Sequence, residues 1–207
     1  MPIYSKNMTK PLIVNIISET EFSVKGHGVH TAYIEMRDGL QRRPDIELHI
    51  NDKQVKADII HIHTMGTFAW KFLNKPNGKK VVSGHLVPDS FIGSIVGAKY
   101  WRPLGAWWLK RFYGRADLVL ACSGMVKDEL INNMKLTNTD VLYNSINTSK
   151  YRFSDAERAQ ARQELQIQPE QFVIIGNGQV QPRKRFDILV EMAKKMPNVR
   201  FFWIGGW

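Results

Sequence analysis

Short apolar runs recur along the chain, and stretches with helical spacing separate them. In the first 150 residues, the runs that predict buried strands are PLIVNII (11–17), IELHI (46–50), ADIIHIH (57–63), KKVVSGH (79–85), LVLAC (118–122) and DVLY (140–143). Helices are predicted between them at 29–40, 67–73 and 124–134. Because parallel strands need a long crossover connection, this alternation predicts βαβ units and an α/β fold with a Rossmann-like parallel sheet.

A second, shorter unit follows the turn-forming segment Asn144–Asn147. Ser154 and Glu157 form a capping box that opens a polar helix, and Pro169 lies in the linker after it. A strand at 172–176, a helix at 186–195 and a strand at 199–204 then predict one βαβ unit. We therefore expect domains at 1–147 and 171–207, joined by a linker and helix at 148–170. One βαβ unit buries too little surface to be a domain, so we expect the second domain to be truncated.

One histidine stands at the end of a predicted central strand. The apolar run Val81–Val82 ends in Ser83-Gly84-His85, and Pro88 prevents the strand from continuing. In an open parallel sheet, ligands bind at the carboxyl ends of the strands. His85 is therefore the first candidate for chemistry, although a buried histidine bonded to a backbone carbonyl would fit the same pattern.

Composition restricts the class of protein. With 43% hydrophobic and 23% charged residues the chain can bury a core, and no window reaches the ~20 apolar residues of a membrane span. The N-terminal MPIYSKNMTK lacks the apolar core of a secretory signal. A single cysteine, Cys122, excludes an internal disulfide framework and predicts a reducing, cytoplasmic compartment.

The net charge of +10 is concentrated in part in one aromatic segment. KYWRPLGAWWLKRFYGR (99–115) holds five basic residues, six aromatics and no acid. On helical spacing from Pro103, one face carries Leu104, Trp108, Leu109 and Phe112, and we expect that face to be core. The opposite face carries Trp107, Lys110 and Arg111 and suits an anionic membrane surface. A solvated basic face remains the plainer alternative, and no recognition module accompanies a nucleic-acid patch.

Glycines follow the first predicted strand. Gly26 and Gly28 lie between that strand and the helix at 29–40. Strand, glycine loop and helix start can present backbone N–H groups to a phosphate, although the full dinucleotide fingerprint is missing. A simple flexible turn is equally compatible with the pattern.

Five segments in order resemble the family-four glycosyltransferases, which are retaining enzymes with two Rossmann-like domains (the GT-B fold). They are ADIIHIH, the strand ending at His85, ADLVLACS (116–123), VLYNSIN (141–147) and GNGQVQPRKRFDILVEMA (176–193). The resemblance covers about residues 57–207. It implies that the chain carries the acceptor-side domain and the start of the nucleotide-sugar-binding domain.

The resemblance also implies site residues. His85 takes the place of the cleft histidine that lies against the transferred sugar, and Gly26 and Gly28 that of the loop near the donor phosphates. Lys184 matches the lysine that binds the nucleotide diphosphate. Gln179 stands where the family has an arginine, and Arg183 or its second neighbour Arg185 would supply that charge.

The acceptor is expected to be a lipid or glycolipid. The run GHLVPDSFIGSIVGAKYW (84–101) is similar to the bacterial glucosyl-diacylglycerol branch of the family. Asp89 is a candidate acceptor-side base or hydrogen-bond partner, with a turn cap as its simpler role. We predict a peripheral enzyme on the inner face of the plasma membrane that uses a nucleotide-sugar, needs no metal or other cofactor and binds no nucleic acid. The 207-residue chain alone is expected to be inactive.

Three other functions remain open. A glycosyltransferase of polysaccharide synthesis would share the fold and use a soluble acceptor. A dinucleotide oxidoreductase would need a complete glycine fingerprint followed by an acidic residue. A zinc site would have to be built from His27, His30, His61, His63 and His85, yet His61 and His63 share a face simply because a strand has a period of two.

Overall fold

The computed structural model describes residues 10–22, 28–91 and 97–206, which divide into two compact units. The first unit contains the described residues up to Pro88 together with Pro103–Asn147. The second contains the described residues of 89–102 and those from Thr148 onward.

The described part of the first unit is an α/β structure around one six-stranded sheet. Its strands and helices are β1 (Leu12–Ile17), α1 (Gly28–Gln41), β2 (Ile46–Ile50), β3 (Ile59–Ile62), α2 (Thr67–Leu73), β4 (Lys79–Gly84), α3 (Ala98–Tyr113, of which the residues from Pro103 onward belong to this unit), β5 (Leu118–Ala121), α4 (Gly124–Asn132) and β6 (Thr139–Val141). The strand order is β2-β1-β3-β4-β5-β6, and every neighbouring pair is parallel. The predicted α/β fold with a parallel sheet is therefore confirmed.

Apolar side chains on both faces of the central strands form the core of this sheet. Ile16, Ile62, Val82 and Val119 are fully buried, and Tyr33 packs from α1 onto the β1 side. Strands covered on both faces read as continuous apolar runs, which is why the sequence pattern located them. All strands run the same way, so the residues after β1, β3, β4 and β5 meet at one edge.

The helix α3 differs from its prediction in two respects. It begins at Ala98, so Pro103 lies inside it, and Leu104, expected in the core, is 55% exposed. Leu109, Phe112 and Tyr113 are fully buried. The packed part of α3 therefore lies at Leu109, Phe112 and Tyr113, and Leu104, about two turns before Phe112, is exposed.

The second unit has its own small sheet. Its elements are α5 (Asp155–Glu164), β7 (Val173–Asn177), α6 (Phe186–Lys195) and β8 (Arg200–Ile204), and β7 pairs with β8 in parallel. Ser154 caps α5 by accepting a hydrogen bond from the Glu157 backbone N–H, as the capping box predicts. At Gly205, φ is +135° and a Cβ would collide with the Gly178 carbonyl oxygen, so this position requires glycine.

No helix in the described ranges is both long enough and apolar enough to cross a bilayer.

Candidate active site

His85 directly follows β4, at the carboxyl edge of the sheet. Its backbone N–H donates to the Ser83 carbonyl oxygen over 3.1 Å, which turns the chain sharply at the strand end. The imidazole is half-buried, and its Nε2 atom is buried without a hydrogen-bonding partner among the described residues. A buried polar atom with no partner is uncommon and marks a position where a ligand or water would be bound.

Two further histidines lie beside His85. The rings of His63 and His85 meet edge to face with centroids 4.6 Å apart. His63 Nε2 is 3.0 Å from the Val29 carbonyl oxygen, and His63 Nδ1 is 3.3 Å from Ser83 Oγ. The same Ser83 oxygen lies 2.8 Å from His61 Nε2. His61 and His63 are thus hydrogen-bonded to the same Ser83 hydroxyl, and the His85 imidazole joins them through its ring contact with His63.

Burial keeps these imidazoles neutral. Removal from water lowers the pKa of His85 to about 4, and it lowers that of His61 to about 4 with a smaller contribution from His85. The pKa of His63 falls to about 3, for the same reason first and through the neighbouring His85 second. At neutral pH, His85 is therefore an uncharged imidazole that can donate or accept one hydrogen bond.

A cavity of about 100 Å³ lies next to the cluster. Its polar lining residues are His63, Ser83, His85, Tyr143, Asn144 and Ser145. Cys122 also lines it, and burial raises the pKa of its thiol, so the sulfur stays protonated. Polar groups converge here at the end of a parallel sheet, which is typical of a ligand site.

The start of α1 lies close to the cluster through Val29. Gly28 is the first residue of the helix, and no atom of the described residues lies within 4 Å of the position that a Cβ would take there. The phosphate-loop candidate Gly26, and His27 of the alternative zinc site, lie outside the described residues. Space for a ligand at Gly28 is therefore present, whereas the role of the whole loop stays a prediction.

A contact that the sequence did not predict lies next to the site and involves Glu21, Tyr33 and Arg37. The Tyr33 hydroxyl donates a short hydrogen bond to the Glu21 carboxylate, which also lies 3.4 Å from Arg37 Nη1. Burial and this carboxylate raise the pKa of the phenol. The Tyr33 ring contacts the His63 ring at a centroid distance of 5.6 Å. No motif connects these residues in sequence, so only the fold reveals the arrangement.

Asp89 lies in a short 3-10 turn, Pro88–Phe91, and is exposed. Its carboxylate accepts from Arg102 Nε at 2.7 Å. This ion pair occupies one oxygen of Asp89, so its candidate acceptor-side role stays a prediction.

The predicted donor-binding residues of the second unit gather in one loop after β7. Lys184 ends the 3-10 turn Pro182–Lys184, and its methylenes pass close to Gly178. The side chains of Gln179 and Arg183 both bond to Gln181. The alternative cation Arg185 is engaged by the Asp187 carboxylate at 3.0 Å, which leaves Lys184 and Arg183 as the cations better suited to a diphosphate.

The basic face of α3 is exposed as expected. Trp107 is 60% exposed, and Lys110 and Arg111 are exposed beside it. Together with Gly114 and Arg115 they line one shallow depression in the surface. On the opposite face, Trp108 packs against Trp70 with ring centroids 4.9 Å apart. The helix therefore separates a packed aromatic face from a solvent-facing basic one.

The candidate metal-binding histidines that the structure describes have other contacts. Over the ranges that the structure describes, no group of three or more His, Cys, Asp or Glu side chains is placed to hold a metal ion. His61 and His63 direct their Nε2 atoms at a serine hydroxyl and a backbone carbonyl. The two histidines share a face because of the strand period, and each has a hydrogen-bonding partner within the protein.

Comparisons with known proteins show similarity to glycosyltransferases. The model of "Glycosyltransferase Family 4" matches residues 18–150. The chain is 27% identical over 202 residues to alpha-galactosylglucosyldiacylglycerol synthase of Streptococcus pneumoniae, covering 95% of this chain and 54% of that protein. It is 27% identical over 197 residues to processive diacylglycerol alpha-glucosyltransferase of Acholeplasma laidlawii, covering 93% of this chain and 57% of that protein. The chain thus spans about half the length of these curated relatives.

The fold is similar to that of a protein whose crystal structure contains UDP and glucose. The crystal structure of Anabaena Alr3699/HepE in complex with UDP and glucose superposes with a TM-score of 0.65 at 17% identity. The match covers 93% of this chain and 61% of that one. The likeness shows an α/β fold similar to that of the N-terminal domains of GT-B glycosyltransferases.

Proposed function

Because the chain belongs to glycosyltransferase family 4, we propose that the protein transfers a sugar from a nucleotide-sugar to a lipid or glycolipid acceptor, with retention of configuration. The donor is a substrate in this proposal, and no resident metal or cofactor takes part. In this proposal the transfer reaction takes place at the inner face of the plasma membrane.

One observation carries the proposal: His85 presents a neutral, buried and unpartnered imidazole nitrogen at the carboxyl edge of the sheet. A sugar ring offers hydroxyl groups that donate and accept hydrogen bonds, and a neutral imidazole suits such a partner better than a cation does. A buried nitrogen without a hydrogen bond is energetically unfavourable, and a bound sugar hydroxyl supplies the missing partner of His85 Nε2.

The chemistry breaks the bond between the sugar anomeric carbon and the diphosphate oxygen. The acceptor hydroxyl oxygen forms the new bond to that carbon, and its proton goes to the departing diphosphate. Negative charge develops on the leaving group, which cations and backbone N–H groups stabilise. Lys184 and Arg183 are the candidate cations of the second unit, and the backbone N–H groups at the start of α1 are a separate candidate phosphate contact of the first.

Two features support a lipid acceptor. Both curated relatives carry names that place diacylglycerol in their acceptor or product. In this chain, α3 exposes Trp107 next to Lys110 and Arg111, a combination of amphipathic ring and cations that suits an anionic bilayer surface.

The test is a transfer assay with the natural protein purified from its host cells. Radiolabelled UDP-glucose, with which the similar Anabaena Alr3699/HepE has been crystallised, is incubated with diacylglycerol vesicles, glucosyl-diacylglycerol vesicles or a soluble oligosaccharide. Label in the lipid fraction is expected, and the anomeric proton coupling of the product reports retention. Label only in the oligosaccharide would replace the lipid acceptor with a soluble one, and no transfer from a panel of nucleotide-sugars would overturn the proposal.

The role of His85 is tested in the same assay. His85→Ala removes the imidazole and is expected to lower kcat by roughly 100-fold or more, as expected where a transition-state hydrogen bond is lost. His49→Ala serves as the matched control, since His49 lies on β2 and bonds to Glu47. An unchanged rate in His85→Ala would remove this residue from the site.

A further inference from the structure

His63 joins three parts of the first unit at one point. It follows β3, its ring nitrogens face Val29 of α1 and Ser83 of β4, and its ring edge packs against His85. The side chain is 3% exposed. Both ring nitrogens have the partners that a buried imidazole requires, and the ring in addition contacts the candidate site at His85.

The hydrogen-bonding partners fix the protonation of each ring. A backbone carbonyl can only accept, so His63 Nε2 carries the proton that is donated to Val29. His63 Nδ1 is then an acceptor, and it receives the hydroxyl proton of Ser83. The Ser83 oxygen in turn accepts from His61 Nε2. Each group therefore donates to the next, from His61 to Ser83, from Ser83 to His63, and from His63 to the backbone of α1.

This chain of bonds holds the His63 ring in one orientation, with both nitrogens used. The ring then forms a fixed wall for His85 at an interplanar angle of 62°. His85 itself has a free Nε2 within the described structure, so nothing but packing sets where that atom points. The orientation of the candidate catalytic imidazole therefore depends on that of its neighbour.

We propose that His63 is a positioning residue: it aligns the His85 imidazole and ties it to the first turn of α1. The inference rests on the proposed function, in which His85 bonds to the transferred sugar and the start of α1 faces the donor phosphates. His61 and Ser83 act through His63 by fixing its tautomer. A small displacement of a group that contacts the reacting centre can cost roughly 100-fold in rate, so the alignment has a measurable value.

Nitrogen NMR of the ¹⁵N-histidine-labelled chain tests the arrangement without any substrate. At neutral pH, His61 and His63 are expected as neutral tautomers with the proton on Nε2. A proton on Nδ1 of His63 would contradict the hydrogen-bond directions and overturn the proposal. This measurement needs no variant, so it does not depend on whether substituted chains fold.

Two variants then separate the roles of the hydrogen bond and the ring. In His63→Gln the amide can still donate to Val29, but the wall against His85 is lost. In His63→Phe a ring remains, but both hydrogen bonds are lost. The His85 ring signals are expected to shift clearly in His63→Gln and less in His63→Phe, and to stay unchanged in the control His49→Gln. Parent-like His85 signals in a folded His63→Gln would overturn the proposal.

Kinetics on the protein as its host cell makes it complete the test. His63→Gln is expected to lower kcat by roughly 10- to 100-fold and to change KM for the nucleotide-sugar by less than about threefold. Equal kcat in His63→Gln and parent would show that His63 positions nothing that matters. If the parent transfers no sugar, the proposed function fails, while the NMR result still decides the arrangement of the imidazoles.

Discussion

Three imidazoles packed side by side couple the stability of the first unit to pH. The pKa of each ring is lowered on folding, from an ordinary value of 6.5 to about 4 for His61 and His85 and about 3 for His63. Between those values the unfolded chain binds protons that the folded chain does not. The free energy of unfolding therefore falls as pH drops below about 6.5 and continues to fall to about pH 4.

We expect a lower free energy of unfolding at pH 5 than at pH 7, by ~2 kcal/mol for each ring that stays neutral, since one pKa unit is worth about 1.4 kcal/mol. Urea unfolding followed by circular dichroism measures it. Carboxylates with lowered pKa, such as Asp117, lose their contribution only below their ordinary value of 3.8, outside this window. His63→Gln should show a shallower pH dependence than parent, and equal slopes would contradict the assignment.

The sequence identified His85 from its place at a strand end, because a strand stop and an imidazole are both local signals. It named His63 only as a ligand of the alternative zinc site, because the partners that fix its ring come from Val29 and Ser83 in other segments. Lys80 shows the same limit. It lies in an apolar strand and is 6% exposed, yet its ammonium is satisfied by the carbonyl oxygens of Asn77 and Gly78.

At the scale of elements, periodicity predicted the strands well and the helix faces less well. Apolar runs bounded by glycine and polar turns are a strong signal for strands buried on both faces. Helical spacing placed Leu109 and Phe112 correctly in the core and Trp107 on the exposed face, and it failed at Leu104, which is exposed. Spacing gives the face of a helix but not how far along the helix its neighbours extend, which depends on contacts such as that of Trp70 with Trp108.

The helix α2 shows how a remote side chain can define an element boundary. Its N-cap residue, Gly66, provides no side-chain acceptor. Glu19 supplies one instead: its Oε1 accepts from the backbone N–H groups of Phe68 at 2.9 Å and Ala69 at 3.1 Å. A carboxylate at a helix start also interacts favourably with the helix dipole.

Glu19→Ala is expected to lower the free energy of unfolding by ~1–2 kcal/mol, because two buried N–H groups lose their acceptor. Glu19→Gln keeps an oxygen in place and is the matched control, with an expected loss of less than ~1 kcal/mol from the missing charge. Denaturant unfolding at neutral pH measures both. Two variants as stable as the parent would show that water caps α2 equally well.

At the scale of the whole molecule, strand order assembles the site. Because β3 and β4 are neighbours and parallel, His63 and His85 reach the same edge although they are separated in sequence by α2. Alternating elements predict parallel strands but not their order, so the sequence could indicate an edge but not which residues meet there. Tyr143 and Asn144 join the cavity through β6 in the same way.

Two contributions to membrane binding are expected, one from the net charge of the molecule and one from the exposed face of α3. They differ in their dependence on salt. A net charge of +10 attracts any anionic vesicle at low ionic strength, and this long-range attraction is screened beyond about 8 Å at 0.15 M salt. A tryptophan inserted in the interface contributes apolar burial, which salt does not screen. The exposed face of α3 combines both contributions in Trp107, Lys110 and Arg111.

We therefore expect two different salt profiles in vesicle co-sedimentation with phosphatidylglycerol-rich membranes. Lys110→Ala with Arg111→Ala should reduce binding by roughly 30-fold at low salt, at about 1 kcal/mol per cation, and much less at high salt. Trp107→Ala should reduce binding at both. The matched control, Lys194→Ala with Lys195→Ala on α6, removes the same charge elsewhere and tests attraction by net charge alone. If that control loses as much binding as the α3 pair, the membrane responds to total charge, and α3 has no special role in docking.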